Sequence, residues 1–322
     1  MPPITRRIIA YRFPADAGYD APPMELPALK RALEQADSRL QWVDTLGRYF
    51  AAHELFFGHG TETADDEAFW LVWQASGTPQ DLARLPPDAS LIPRLVDIAG
   101  RRVRERVPLA YLLGVAWFSG LEFDVGPAVL VPRSPLAELI EQGFAPWCAL
   151  RAGDRLLEIG TGSGCIAIAA AVHNPDITVD ATEIDAAALE LARANVSRHG
   201  VGDRVRIVAA DLFPADYKRY RVIISNPPYV TTGDICALPR EYGHEPVQAF
   251  DGGADGLDVV RRIIDGARRR LTSDGLLIVE VGLSADALAE SYPDVPWTWL
   301  EFERGGDGVF LLTAEELTNG WG

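Results

Sequence analysis

The chain has 322 residues, of which 48% are apolar and 24% charged, with a net charge of −16. This length and apolar share can bury a large core in one domain or two, and they exclude a disordered chain. The acidity disfavours a phosphate backbone as partner and favours a basic one, although it also serves plain solubility.

Met1-Pro2-Pro3 runs into Arg6-Arg7 with no long apolar stretch behind it, so no secretory signal is expected. The first third reads as helical. Leu40, Val43, Leu46, Phe50, Leu55 and Phe56 recur at helical spacing, predicting a helix from Leu40 to Phe57 that Gly58-His59-Gly60 stops. A second apolar stretch, Ala68 to Trp73, follows, and Pro86-Pro87 and Pro93 punctuate what comes next. The charged run Arg101-Arg102-Val103-Arg104-Glu105-Arg106 reads as a solvated helix face, with contact to a ribosomal or other anionic surface as the sharper alternative.

From Pro108 the pattern changes. Trp117-Phe118 and Leu121–Val125 flank Ser119-Gly120, with Val129-Leu130-Val131 after Gly126-Pro127, which predicts a linking β-hairpin. Beyond Arg133, strands are predicted at Arg155–Ile159, Thr178–Thr182, Val205–Ala209, Val222–Ser225 and Leu276–Val281. Helices are predicted at Gly164–His173, Ala186–Arg198 and Leu257–Leu271. Such alternation means an α/β fold with a doubly wound, mostly parallel, Rossmann-like sheet. Trp299–Glu303 and Val309–Thr313 surround Arg304-Gly305-Gly306-Asp307-Gly308, an antiparallel edge hairpin that suits a methyltransferase better than a dehydrogenase. The expected domains are a helical domain over 1–107, the hairpin linker over 108–135 and the doubly wound domain over 136–322.

The strand end Leu156-Leu157-Glu158-Ile159 runs straight into Gly160-Thr161-Gly162-Ser163-Gly164 and then a helix. Glycines let a ligand approach the backbone, and the helix N-terminus offers free N–H groups to an anion. Cys165 stands at the sixth position of the dinucleotide fingerprint, which weakens a nicotinamide reading without abolishing it. Glu183, about 20 residues on, stands where an acidic side chain can accept ribose hydroxyls, with Ile184 beside it. Asp185 reads as a helix N-cap. Asp211 follows the third strand, where it can accept an adenine amino group with Leu212 against the ring; it can also be a plain turn residue before Pro214.

Asn226-Pro227-Pro228-Tyr229 closes the next strand. An amide or arylamine nitrogen is a poor nucleophile because its lone pair is delocalised. Two acceptors aimed at its two N–H bonds return density to the nitrogen. The Asn226 side-chain oxygen and the Pro227 carbonyl can be that pair, with Tyr229 stacked on the planar group. Consecutive prolines restrict the backbone and hold the acceptors in place.

Three cysteines (Cys148, Cys165, Cys236) without a CxxC pair, and five scattered histidines (His53, His59, His173, His199, His244) without an HExxH pattern, predict neither a disulfide framework nor a metal. No stretch reaches the roughly 18 apolar residues of a membrane span, so a cytoplasmic protein is expected.

Asn-Pro-Pro-Tyr after Glu158–Gly164 resembles the protein-glutamine N5-methyltransferases; adenine N6-methyltransferases share the tetrapeptide. Pro108–Gly114, the run from Phe118 to Pro132-Arg133, and Gly252-Gly253-Ala254-Asp255-Gly256-Leu257 are similar to the glutamine branch. Within it, Leu55–Thr61, Ala116–Phe123, Val131–Ile140 and Glu241–Pro246 are most similar to the type that methylates large-subunit ribosomal protein L-three. The release-factor type is the alternative, and a nucleic-acid methyltransferase or a silent ribosome-docking module comes further behind. The resemblance covers residues 40 to 315. It departs from the family pattern at Glu183, where aspartate is usual, and at residues 62–66.

The resemblance implies S-adenosylmethionine as cofactor and a basic ribosomal-protein substrate, free or on an assembling ribosome, with no membrane and no sequence-specific nucleic acid. It implies that Asn226, Pro227, Pro228 and Tyr229 bind the glutamine amide. Gly160, Gly162, Gly164, Glu183 and the Asp211-Leu212 turn would hold the cofactor, with the neighbouring Glu158, Thr161, Ser163, Ile184 and Asn226. Phe118, Pro132 and Arg133 would close its methionine end.

Overall fold

A computed structural model describes residues 24–321 of the chain. The reading of Met1-Pro2-Pro3 and Arg6-Arg7 lies outside the described residues. The chain divides into two compact units: one runs up to Ala116 and includes Pro239–His244, and the other comprises Trp117–Leu238 and the chain from Glu245 onward. Nothing in a linear reading joins the six residues at 239–244 to the helical unit.

The helical unit holds α1 (Leu26–Glu34), α2 (Arg39–Ala51), α3 (Ala64–Ala75), α4 (Ile92–Glu105) and the short α5 (Leu109–Leu113). Residues 62–66 start α3. Thr63 accepts from Asp66 N at 3.1 Å while Asp66 accepts from Thr63 N at 3.0 Å, a reciprocal capping box. Helix α2 ends at Ala51, six residues before the expected Phe57. The backbone beyond it is needed elsewhere, because Phe56 N donates to Glu241 at 3.1 Å and Phe56 O accepts from Arg102 at 2.7 Å.

The run at 101–106 is not a solvated face throughout. Arg102 is fully buried. Its Nε and Nη2 reach the two oxygens of Glu67 at 2.8 and 3.1 Å, and its Nη1 reaches Glu241 at 3.2 Å. Arg106 also donates to Glu241, at 3.4 Å. Arg101 keeps the expected exposed character, paired with Glu105 one turn on. Charge counting along the sequence cannot separate Arg101 from Arg102. Helical geometry turns one toward solvent and the other toward the core.

The second unit contains the hairpin β1 (Val115–Phe118) and β2 (Leu121–Asp124), whose first strand spans the division between the units. A short α6 (Leu136–Glu141) precedes the main sheet. Chain order is then β3 (Arg155–Ile159), α7 (Cys165–His173), β4 (Thr178–Glu183), α8 (Ala186–Arg198), β5 (Val205–Ala209), β6 (Tyr220–Ser225), α9 (Asp258–Ala267), β7 (Leu271–Glu280), α10 (Ala285–Ser291), β8 (Thr298–Trp299), β9 (Val309–Thr313) and α11 (Ala314–Gly320). The seven strands lie in the order β5-β4-β3-β6-β7-β9-β8, with β9 antiparallel to β7 and β8 antiparallel to β9. This is the expected doubly wound sheet with an antiparallel edge hairpin. Its β8 is two residues rather than five, and β7 starts five residues early, opposite a register shift in β6.

Strand residues alternate between two apolar layers. Leu156, Val222, Ile224 and Ile278 pack in one, and Leu157, Ile223, Leu277 and Val279 in the other. A sheet buried on both faces explains why these strands read as unbroken apolar runs. Cys148 and Cys165 are buried free thiols. Among the described residues, no helix is long and apolar enough to cross a membrane, and no group of three or more His, Cys, Asp or Glu is arranged to hold a metal.

Removing Arg102 strands the buried Glu67 and takes one of three donors from Glu241. Arg102→Ala is expected to lower unfolding stability by roughly 3–5 kcal/mol, whereas Arg101→Ala changes it by about 0.5 kcal/mol or less. Denaturant melts of the two variants check this, and equal effects would contradict the buried cluster.

Candidate active site

A cavity of about 470 Å³ opens at the carboxyl ends of β3, β4 and β6. That is ample for a nucleoside-sized ligand, and this sheet edge is where open α/β sheets bind ligands. Parallel pairing of β3 with β6 sets Ile159 beside Ser225, so the glycine loop and the Asn226 turn start at the same level. Ser225 Oγ donates to Ile159 O at 2.8 Å, locking the two strand ends together.

The loop is tied down from behind. Gly160 N and Thr161 N both donate to Thr182 O at 2.9 Å. Gly160 and Gly162 have φ of +73° and +53°, and a Cβ on either would meet nothing within 4 Å. The ligand side of the loop is therefore open, and the conformation itself is what requires glycine. Glu158 is buried under the loop and accepts from Thr161 Oγ1 at 2.5 Å and Ala167 N at 2.8 Å, both on one oxygen. Burial pushes its carboxyl up to about 8 despite those two hydrogen bonds.

Glu183 uses its extra methylene to fold back. It accepts from Gly162 N at 2.9 Å and from Ile184 N and Asp185 N at 2.8 and 3.0 Å. About one of its four or so acceptor positions remains for a ligand, fewer than two ribose hydroxyls would use. Asp185 caps α8 as expected, accepting from Ala187 N and Ala188 N at 2.9 Å each. Asp211 faces the cavity in an ion pair with Arg262 at 2.7 Å. Leu212 adopts φ +67°, and its carbonyl accepts from Thr182 Oγ1 at 2.6 Å.

The cavity lining includes Pro132, Arg133, Glu158, Gly160, Thr161, Gly162, Ser163, Glu183, Ile184, Asp211, Leu212, Asn226, Pro227 and Pro228. Gly164 lies just outside it as the N-cap of α7, at φ +83°. Tyr229 and Phe118 do not line it. The hydroxyl of Tyr229 donates to Glu280 at 3.1 Å. Phe118 is buried in the layer that contains Phe123 and Ile166, so the expectation that it closes the cavity is not what its position shows. Val129-Leu130-Val131 forms cavity wall rather than strand. Arg133 is held bidentately by the buried Glu245 at 2.8 and 2.7 Å, and Glu245 also accepts from Val131 N at 2.8 Å.

Several residues carried no sequence signal. Arg262 projects from a helix some fifty residues beyond Asp211. Asn195 of α8 is fully buried, donating to Ser163 O at 2.9 Å and Asp124 O at 3.0 Å, and so joins the glycine loop to β2. Only the fold makes these neighbours.

The Asn226 amide forms no hydrogen bond with another described residue, so both its polar atoms remain available at the cavity wall. An open amide oxygen beside a glycine loop suits transfer of a small group to a planar nitrogen. A methyltransferase small-domain family model matches residues 112–237. A ribosomal protein uL3 glutamine methyltransferase from Bordetella pertussis is 42% identical over 300 residues, 91% of this chain and 97% of its own length. The chain belongs to this glutamine methyltransferase family. Its namesakes from Francisella tularensis and Neisseria gonorrhoeae are each 43% identical, over 83% and 82% of this chain and 87% and 90% of theirs.

In this glutamine methyltransferase the Asn226 turn is braced from behind. Tyr229 O accepts from Ser284 Oγ at 2.7 Å. Val230 N donates to Phe250 O, and Gly252 N to Val230 O, both at 2.8 Å. Gly256, at φ +77°, lies so close behind that a Cβ would stand 2.4 Å from both Tyr229 O and Ser284 Oγ. The glycine-rich run at 252–256 therefore makes room for the turn. Gly256→Ala is expected to lower kcat on the order of 100-fold by displacing it, while Gly202→Ala, with ordinary contacts, leaves kcat unchanged. Steady-state kinetics and a thermal melt of each variant decide, and normal turnover in Gly256→Ala would remove the bracing role.

Proposed function

We propose that this chain transfers a methyl group from S-adenosylmethionine to the side-chain N5 of a glutamine in large-subunit ribosomal protein uL3. The observation that carries the reading is that Asn226 and Pro227 line the same cavity as residues 160–163 of the glycine loop. The names of the three relatives support the substrate. So does the net charge of −16, which attracts a basic, RNA-binding protein.

In this reading Asn226 Oδ1 and the Pro227 carbonyl each accept one N–H of the glutamine amide, Pro228 lines the slot, and Tyr229 anchors the turn through Glu280. The glycine loop and the α7 N-terminus receive the cofactor's carboxylate. Glu158 faces its ammonium group, with Pro132 and Arg133 closing that end and Thr161 and Ser163 along the floor. Glu183 offers its remaining acceptor position to the ribose. Ile184 and Leu212 cover the adenine, and Asp211, oriented by Arg262, accepts from its amino group. S-adenosylmethionine supplies, when bound, an already activated methyl group, so the protein's contribution is orientation and exclusion of water. A ribosomal-protein substrate implies a cytoplasmic reaction.

The direct test is incubation with labelled cofactor and, separately, purified uL3, release factors and DNA, with the added methyl mapped by mass spectrometry. Label on a uL3 glutamine is expected, and label on release factors in preference would replace the substrate. Asn226→Ala should reduce transfer on the order of 100- to 1,000-fold while cofactor affinity changes little. Loss of cofactor affinity instead would mean that Asn226 belongs to the cofactor site.

Glu158 gives a second test. Its carboxyl holds its proton below a pH of about 8, and a cationic ligand binds better to the ionised form. Cofactor affinity should therefore rise with pH from 6 to 8, by up to about tenfold per unit, and level off above. Glu158→Gln can still accept both existing hydrogen bonds, and should flatten the profile in calorimetric titrations. An unchanged slope in Glu158→Gln would exclude Glu158 as the ammonium's partner.

A further inference from the structure

The carboxyl end of β7 carries a glutamate that no motif above explains. Glu280 is 6% exposed, and its two oxygens are engaged from two different loops. Ser134 Oγ donates to Oε2 at 2.6 Å, and Tyr229 Oη donates to Oε1 at 3.1 Å. Ser134 follows Arg133 in the cavity wall, and Tyr229 ends the Asn226 turn. Glu280 thus joins the wall to the turn. Its own position is fixed, because it pairs with Val309 of β9, and the next two residues, Val281 and Gly282, donate to Gly308 O at 2.7 and 3.1 Å. The Tyr229 ring packs so closely on Gly282 that a Cβ there would stand 2.6 Å from the ring.

A carboxyl at this depth is costly, and burial pushes it up to about 7. An apolar side chain would fill the space at lower cost, so stability alone does not account for it. A carboxylate does offer an acceptor on each side for two converging hydroxyl donors. Glutamine keeps one acceptor and turns an NH₂ group toward the other hydroxyl.

We infer that Glu280 is a positioning residue for methyl transfer, holding the Tyr229 ring and the Ser134 wall in the arrangement that aims Asn226 and Pro227 at the acceptor amide. The inference rests on reading Asn226–Tyr229 as the amide-binding turn. Glu280 touches neither substrate nor cofactor. It acts through Tyr229, so its loss appears in kcat and not in cofactor affinity.

The experiment compares kcat, the KM for uL3, cofactor affinity and melting temperature for the wild type, Glu280→Gln, Glu280→Asp, Tyr229→Phe and the double variant Tyr229→Phe/Glu280→Gln, with Asn226→Ala as reference. Glu280→Gln is expected to lower kcat roughly tenfold with cofactor affinity within about twofold, and Glu280→Asp, which keeps both acceptors, recovers part of the loss. The double variant loses no more than the worse single variant, because Glu280 acts on the turn through the Tyr229 hydroxyl, which Tyr229→Phe already removes. Wild-type kcat in Glu280→Gln, or losses that multiply in the double variant, would overturn the inference. If Glu280→Gln does not fold, Tyr229→Phe decides, since that hydroxyl is the arm from Glu280 to the turn. A lowered kcat supports the inference and a wild-type kcat overturns it. Full transfer by Asn226→Ala would instead remove the underlying reading of the turn. An inactive Asn226→Ala beside fully active Tyr229→Phe and Glu280→Gln removes only the role of Glu280.

Discussion

The bond from Ser225 Oγ to Ile159 O, between two parallel strands in register, is the constraint on which the site depends. One residue past it on β3 the glycine loop begins, and one residue past it on β6 stands Asn226. A one-residue slip would turn every β6 side chain to the opposite face of the sheet. It would exchange the Ile223 layer for the Ile224 layer, and both are fully buried. Close packing on both faces, with the Ser225–Ile159 bond, therefore fixes where the Asn226 turn sits relative to the loop. The placing of loop against turn and the core packing are set by the same register.

Buried carboxylates then shape the space around that point. Glu158 gathers Thr161 and Ala167 beneath the loop, Glu245 holds Arg133 and Val131 in the wall, and Glu280 takes Ser134 and Tyr229. Apart from Ala167 in α7, the donors come from chain segments that lack regular secondary structure and would otherwise be mobile. In the helical unit Glu67 and Glu241 converge on Arg102 of α4. Burial disfavours the charged form of each, and at Glu158 and Glu280 the converging donors offset only part of that cost. The result is an irregular backbone held in one arrangement, as transfer to a poor nucleophile requires.

Much of this was legible in the sequence. The strands Arg155–Ile159 and Val205–Ala209, the helix Ala186–Arg198 and the Asp185 cap follow from periodicity and capping chemistry, both local properties of the chain. The Asn226 turn and the glycine loop are contiguous, and their chemistry is written in adjacent residues. The expected end of α2 failed because Phe56 gives its backbone to partners 46 and 185 residues away. The solvated reading of 101–106 failed at Arg102 for the same reason.

The sequence by itself determined the chemistry: a glycine loop after one strand and an Asn-Pro-Pro-Tyr turn after another, with residue types that suit an activated methyl donor and a planar nitrogen. Only the tertiary structure decided what holds those pieces. Glu280, Glu245, Arg262 and Asn195 act through partners between 32 and 146 residues distant. It also withdrew Phe118 into the core and folded Glu183 back on Gly162. Hydrogen bonds of that span arise when strands and loops are brought together in space, and no local pattern in the chain records them.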